Sequence, residues 1–255
     1  MSGLKYDSDS IRPHFTVYLM NKSVEKPENR HWLRYLLWLM VAQTAYANRQ
    51  HYHMTTTWLP HLLTNSLSLL LPDAARLLLG RRRRPANIVE DTLMTMVRDN
   101  PQYAMTVAPL AVGYIVSHPN FNIYKGEWGE LRFAGLGLDA IPHAATAFAF
   151  SVLAADTFET MGQHDQYDDL LARLVQWGRQ NPDGVALGLL ALVTLGWEYA
   201  EYRVHHQELA QRGDVTAINM QWSADDTVRD IIANFIGWGL AAVWRARTPS
   251  VEELT

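Results

Sequence analysis

Residues 58–85 read WLPHLLTNSLSLLLPDAARLLLGRRRRP, and this stretch decides how the rest of the chain is read. Trp58 to Gly80 is long enough to cross the roughly 30 Å hydrocarbon core of a bilayer, although Pro60, Pro72, Asp73 and Arg76 interrupt it. Arg81 to Arg84 follow at once. Four consecutive arginines elsewhere would be a solvated or nucleic-acid-attracting run. Directly after an apolar stretch of spanning length they read as a cytoplasmic stop.

Outward from this stretch, polar and apolar blocks alternate. The other apolar blocks are His31–Tyr46, Tyr103–Ser117, Leu131–Ala155, Gly184–Tyr202 and Val228–Trp244. Averages hide this segregation: 48% hydrophobic and 19% charged residues, with a mean hydropathy of -0.14, are ordinary for a soluble protein. Nine Trp and eleven Tyr are many, and several end apolar runs, as in the aromatic belts of membrane interfaces. With Arg81–Arg84 inside, six alternating spans put both termini in the cytoplasm. The segment with Arg173 and Arg179 then lies on the same side, as do Arg245 and Arg247. The expected fold is an all-α, polytopic helical bundle in the inner membrane. Residues 1–30 read as a polar tail or interfacial segment, 31–247 as the membrane domain and 248–255 as a short tail. Five spans with an interfacial first helix is the main variant, and a soluble helical bundle is the bland one. The 1–30 segment has no apolar core of signal-peptide type.

The net charge of -4 argues against a general nucleic-acid binder. With no cysteine there is no disulfide, thiolate metal site or cysteine nucleophile. No nucleophile elbow, P-loop or dinucleotide fingerprint occurs, and GLGLDA at 135–140 reads as a glycine-softened helix suited to close packing.

The chemistry lies in paired polar residues within apolar blocks. Asp139 and His143 are i, i+4; Glu198 and Glu201 are i, i+3; Asp226 and Asp230 are i, i+4, and Asn234 continues that stripe. The six-span topology puts all three pairs near the extracytoplasmic ends of their helices, with His118 and the turn carrying His51 and His53 on the same side. Each pair alone has a structural account: a packed pair beside Pro142, a solvated helix end, or first-turn acids behind a Ser223 cap. Their convergence at one depth favours a site, because ionisable groups in spans normally face the bundle interior and one another. Five carboxylates and an imidazole need compensating charge, from shared protons, from Arg203 or Arg229, or from a bound divalent metal. The donor set suits Zn, Mn, Fe or Mg, with Asp139, His143, Glu198, Glu201, Asp226 and Asp230 as candidate ligands. HExxH is absent, as is the ExxH of di-iron bundles. His51, His53, His205 and His206 read as solvated loop histidines, and His164 falls on the cytoplasmic side.

Three segments resemble YjdF-type bacterial inner-membrane proteins, a family of unknown function. GLDAIPHAATAFAF resembles that family's DRLxHF helix. GWEYAEY resembles its YELIEW helix, which puts Glu198 and Glu201 on its two glutamates. QWSADDTVRDIIAN resembles its QGDxWDxxxDM segment, which puts Gln221, Asp226 and Asp230 on the Gln and the last two Asp. Tyr124, after His118, stands for a tyrosine-bearing extracytoplasmic segment. Ser223 replaces the family's aspartate after Gln-Gly. The resemblance covers the C-terminal half and implies a polytopic membrane protein without bringing a reaction. Three function classes stay open: a metal-dependent enzyme acting on a lipid or lipid-linked substrate, a non-enzymatic subunit or assembly factor joined to other membrane proteins or to a second copy, and a proton- or cation-coupled transporter.

Overall fold

The computed structural model describes residues 31–52, 58–80, 85–100, 103–162, 170–215, 218 and 222–247. The two tails, Arg81–Arg84, His53, His164 and Gln221 lie outside the described residues. Among the described residues the chain is mostly helical, with α1 (His31–Tyr52), α2 (Trp58–Leu79), α3 (Ile88–Thr92) running into a π-helical turn at Leu93–Arg98, and α4 (Tyr103–Ile115). Then come α5 (Gly126–Glu130), a two-stranded hairpin of β1 (Arg132–Phe133) and β2 (Leu136–Gly137), α6 (Ala140–Gly162), α7 (Leu170–Arg179), α8 (Pro182–Arg212) and α9 (Ala224–Arg247).

Three boundaries differ from the apolar blocks, each for a local reason. The polar segment after Tyr46 continues α1 to Tyr52. The fifth block is the first two thirds of a 31-residue helix that begins at Pro182 behind the Asn181 cap and runs to Arg212, with Gly213 as its C-cap at φ 69°. Such a helix is about 46 Å long, so its outer end, with His205 and His206, lies in a helix and not in a loop. The fourth block is not helical at its start. Arg132 pairs with Gly137 and Phe133 with Leu136 across a turn at Ala134 and Gly135, both with positive φ. Two such residues in succession make the tight hairpin turn that suits twisted strands. GLGLDA is therefore the end of a hairpin and the entry to α6, which corrects its reading as a softened helix.

α1, α2 and α4 surround an apolar core that includes Leu37, Val41, Ala45, Leu69, Val107 and Ala111. The polar residues that break the first two apolar blocks answer one another. Arg34, only 1% exposed, donates from Nη1 to the Leu69 carbonyl at 2.7 Å and to Asp73 at 2.8 Å. The Tyr35 hydroxyl also reaches Asp73, at 3.1 Å. Burying a guanidinium is costly unless it is paired and its donors are used, and here both conditions hold. α6 is the hub of the second unit, packing against α4, α7, α8 and most extensively α9. The face of α9 turned inward is Asp230, Ala233, Gly237 and Ala241, a helical stripe of mostly small residues that lets two backbones approach. At the far end of these helices Arg245 gathers Asp156 at 2.8 Å, Glu159 at 2.6 Å and Asp183 at 2.5 Å, which ties α9 to α6 and α8.

α2 and α8 are long and apolar enough to cross a membrane, and only 28% and 22% of their apolar windows is buried inside the molecule. Their large side chains face outward: Leu63, Leu67, Leu77 and Leu78 on α2, and Leu192, Val193 and Leu195 on α8.

Candidate functional site

The sequence pairs meet where the start of α6, the second half of α8 and the start of α9 come together. Ser223 caps α9, its Oγ accepting the Asp226 N–H at 3.1 Å, so the first turn of the helix presents Asp225 and Asp226 with the favourable helix-dipole sense. Arg229 pairs with both, lying 3.2 Å from Asp226. One turn further along, buried Asp230 faces His143 of α6, with Nε2 3.5 Å from Oδ1. On α8, buried Glu198 accepts a 2.5 Å hydrogen bond from the Thr227 hydroxyl of α9, and Glu201 accepts one from the Trp197 indole at 2.8 Å. The next level down the α8–α9 seam is again polar, where Asn234 donates to Thr194 Oγ1 at 3.0 Å. Asp230 lies within electrostatic reach of Asp226, Asp139, Glu198 and Glu201 together.

Asp139 stands just before α6, where its carboxylate accepts the Ala140 N–H at 2.9 Å. It is thus a helix-entry acid, one turn before His143, whose N–H donates to the Asp139 carbonyl at 3.2 Å. The loop after α4 supplies Tyr124, whose hydroxyl donates to the Gly113 carbonyl at 2.8 Å. Burial first, and then the charges of Asp139, Asp230 and Glu201, push its phenol well above the usual range. All six candidate residues therefore gather in one region. Yet among the described residues no group of three His, Asp or Glu side chains is arranged to hold a metal ion. The arrangement is a loose acidic cluster, not a ligand shell.

Sequence reasoning missed Trp197 and Thr227. Trp197 had a signal, since it is i, i+4 to Glu201 on one helix face. Thr227 had none, because its partner lies on another helix. Of the histidines set aside, His205 accepts the Trp222 N–H at 3.2 Å, and the His206 ring lies 4.2 Å from that of Tyr202. The His206 ring also lies 6.1 Å from that of Trp222, so both histidines serve the α8–α9 connection. His51 ends α1, and buried His118 stacks on Phe121 at 5.0 Å.

Next to Tyr124, Lys125 donates to the Ile218 carbonyl at 2.5 Å and lies 4.9 Å from the centre of the Tyr52 ring. Burial brings its ammonium down from 10.5 to about 8, against the opposing pull of Glu208. Below pH 8 the folded and unfolded chains both hold this proton. Between about 8 and 10.5 only the unfolded chain does, so this residue makes stability rise with pH across that window. Unfolding midpoints measured from pH 7.5 to 10.5 should show the rise, and Lys125→Met should remove it. An unchanged slope in the variant would show that Lys125 is not its source.

No family model matches the chain, and no curated protein or solved structure was found to be similar to it.

Proposed function

We propose that this chain is a multi-pass inner-membrane protein whose outward-facing acidic cluster binds and releases protons, in the manner of a proton-coupled transporter. The spans are α1, α2, α4, α6, α8 and α9, with both termini in the cytoplasm. The membrane reading is supported by the outward apolar faces of α2, α8 and α9, where Phe235, Ile236 and Leu240 are exposed. Contiguous apolar surface on this scale needs a non-aqueous partner, and a bilayer supplies it. α4 covers only about 20 Å and is the shortest of the six. The family resemblance supports the same class through the segments that carry Glu198, Glu201, Asp226 and Asp230.

One observation carries the functional reading. Asp139, Glu198, Glu201, Asp226 and Asp230 converge from the chain before α6 and from two further helices, with only His143 and Arg229 as basic partners in the contacts described. A set with this excess of negative charge takes up cations, and protons fit the observed pairs without rearrangement. The Thr194–Asn234 step continues the polar seam inward. The chain has no cysteine, so a single Thr194→Cys reports access directly. In proteoliposomes, impermeant thiol reagents should label it from either side, depending on the pH gradient. Labelling confined to one side under all gradients would sink the transporter reading.

A metal-dependent enzyme acting on a lipid or lipid-linked substrate is the second reading, favoured by the same excess of carboxylates. It requires Glu198, Asp226 and His143 to draw together around Zn, Mn, Fe or Mg. Purified protein with stoichiometric metal that vanishes in Glu198→Ala and Asp226→Ala would establish it over the first.

A further inference from the structure

A second polar pocket lies away from the acidic cluster, between α1 and the loop after α4. Its walls are Gln43, Tyr46, Gln50 and His51 from α1 and His118 and Asn120 from the loop, with Ala47 and Pro119 between them. The first half of the sequence holds no motif that predicts this grouping. It arises because Gln43, Tyr46, Ala47 and Gln50 share one face of α1 at i, i+3, i+4, i+7 spacing, and the turn at 116–120 folds beside that face.

The chemistry of the lining is specific. None of the residues that line it is Asp, Glu, Lys or Arg, so the pocket has no fixed charge to recognise an ion. Gln43, Gln50 and Asn120 each offer an amide carbonyl and an amide N–H₂, and Tyr46 adds an exposed aromatic face and a hydroxyl. His118 Nδ1 accepts the Asn120 N–H at 3.3 Å, so the neutral ring carries its proton on Nε2 as a further donor. On the core-facing side of α1, behind this lining, buried Asn48 donates to Ser117 Oγ at 3.3 Å and holds the turn at 116–120 against the helix.

We propose that this pocket binds an uncharged polyhydroxyl group, as carried by a glycolipid headgroup or a free sugar. Hydroxyls both donate and accept, so they match mixed amides and imidazoles, and the aromatic face covers the apolar side of a sugar ring. In the membrane orientation given above, the pocket lies at the outer headgroup level, near the ends of α1 and α4.

The test uses the full-length protein in nanodiscs, with native mass spectrometry counting bound lipid. Monoglucosyl diacylglycerol should bind roughly tenfold more tightly than diacylglycerol. Gln43→Leu and Asn120→Ala should each erase that preference while leaving the unfolding midpoint near wild type, since both line an open pocket. Glu198→Gln should leave the preference unchanged, which separates this pocket from the acidic cluster. Displacement by free glucose would identify a soluble sugar as the source, and its failure would identify the lipid headgroup; both support the assignment. Equal binding of the two lipids together with no response to glucose, or a preference that survives both pocket variants, would overturn it.

Discussion

Gly237→Ala should lower the unfolding midpoint of the purified protein by about 6–12 °C, the result of about 3 kcal/mol of overpacking. A Cβ at this position would stand 2.2 Å from the Ala144 carbonyl oxygen, 2.8 Å from the Ala147 Cβ and 2.9 Å from the Phe148 nitrogen. Two of those three atoms are backbone, which cannot turn aside as a long side chain can. Relief therefore requires α9 to move away from α6, and that contact is the most extensive helix pairing in the molecule. Separation there also pulls Asp230 from His143, two turns away on the same face. Pairing the change with Ala147→Gly should recover only part of the loss, because the clash with the Ala144 carbonyl persists. Full recovery, or a neutral Gly237→Ala, would mean that the two helices do not approach as described. Thermal unfolding of the wild type and these two variants under one set of conditions decides the matter.

Arg245→Leu should be comparably severe, costing about 3–5 kcal/mol. Its guanidinium is shared by Asp156, Glu159 and Asp183, and the Asp156 side chain is only 7% exposed. Removing the cation leaves three carboxylates crowded at the ends of α6 and α8, with their mutual repulsion no longer offset by this guanidinium. Arg245→Lys should recover only a fraction, since a point-like ammonium cannot serve three acceptors in the fixed fork geometry of a guanidinium. The sharper comparison is the double change Arg245→Leu with Asp156→Leu. Replacing a buried charged set by apolar groups is often tolerated where removing one partner is not. The double variant should therefore be more stable than Arg245→Leu alone. If it is less stable, the arginine acts by packing and not by neutralising Asp156.

The two ends of the α6–α8–α9 unit thus differ in kind. At one end Arg245 meets its carboxylates directly at short range. At the other, five carboxylates share one imidazole, one guanidinium and two neutral donors, Thr227 and Trp197. The first arrangement holds helices together. The second holds more carboxylates than cations in the contacts described, and the proposed function rests on that end.

Much of this was legible in the residues themselves. The length of the apolar blocks marked the long helices, and helical spacing ordered the polar positions inside them. The same spacing set out Asp139/His143, Glu198/Glu201 and Asp226/Asp230, and Ser223 announced the start of α9. Local signals were weaker where two periods compete. Leu131 to Gly137 is apolar enough to extend a helix, yet the backbone at Ala134 and Gly135 turns it into a hairpin. That makes Asp139 the entry residue of α6 rather than a residue within the helix.

What one chain segment cannot specify is its rotation and height against another, and tertiary structure alone decided those. Arg34, Asp73 and Arg76 looked like flaws in two separate spans until α1 and α2 were laid together and Arg34 met Asp73. Tyr124 reaches the acidic cluster only because its loop folds back on Gly113. Thr227 and Glu198, 29 positions apart, meet only through the crossing of α8 and α9. The sequence determined which residues are polar within apolar helices; the close approach of α9 to α6 at Gly237 determined which of them face one another.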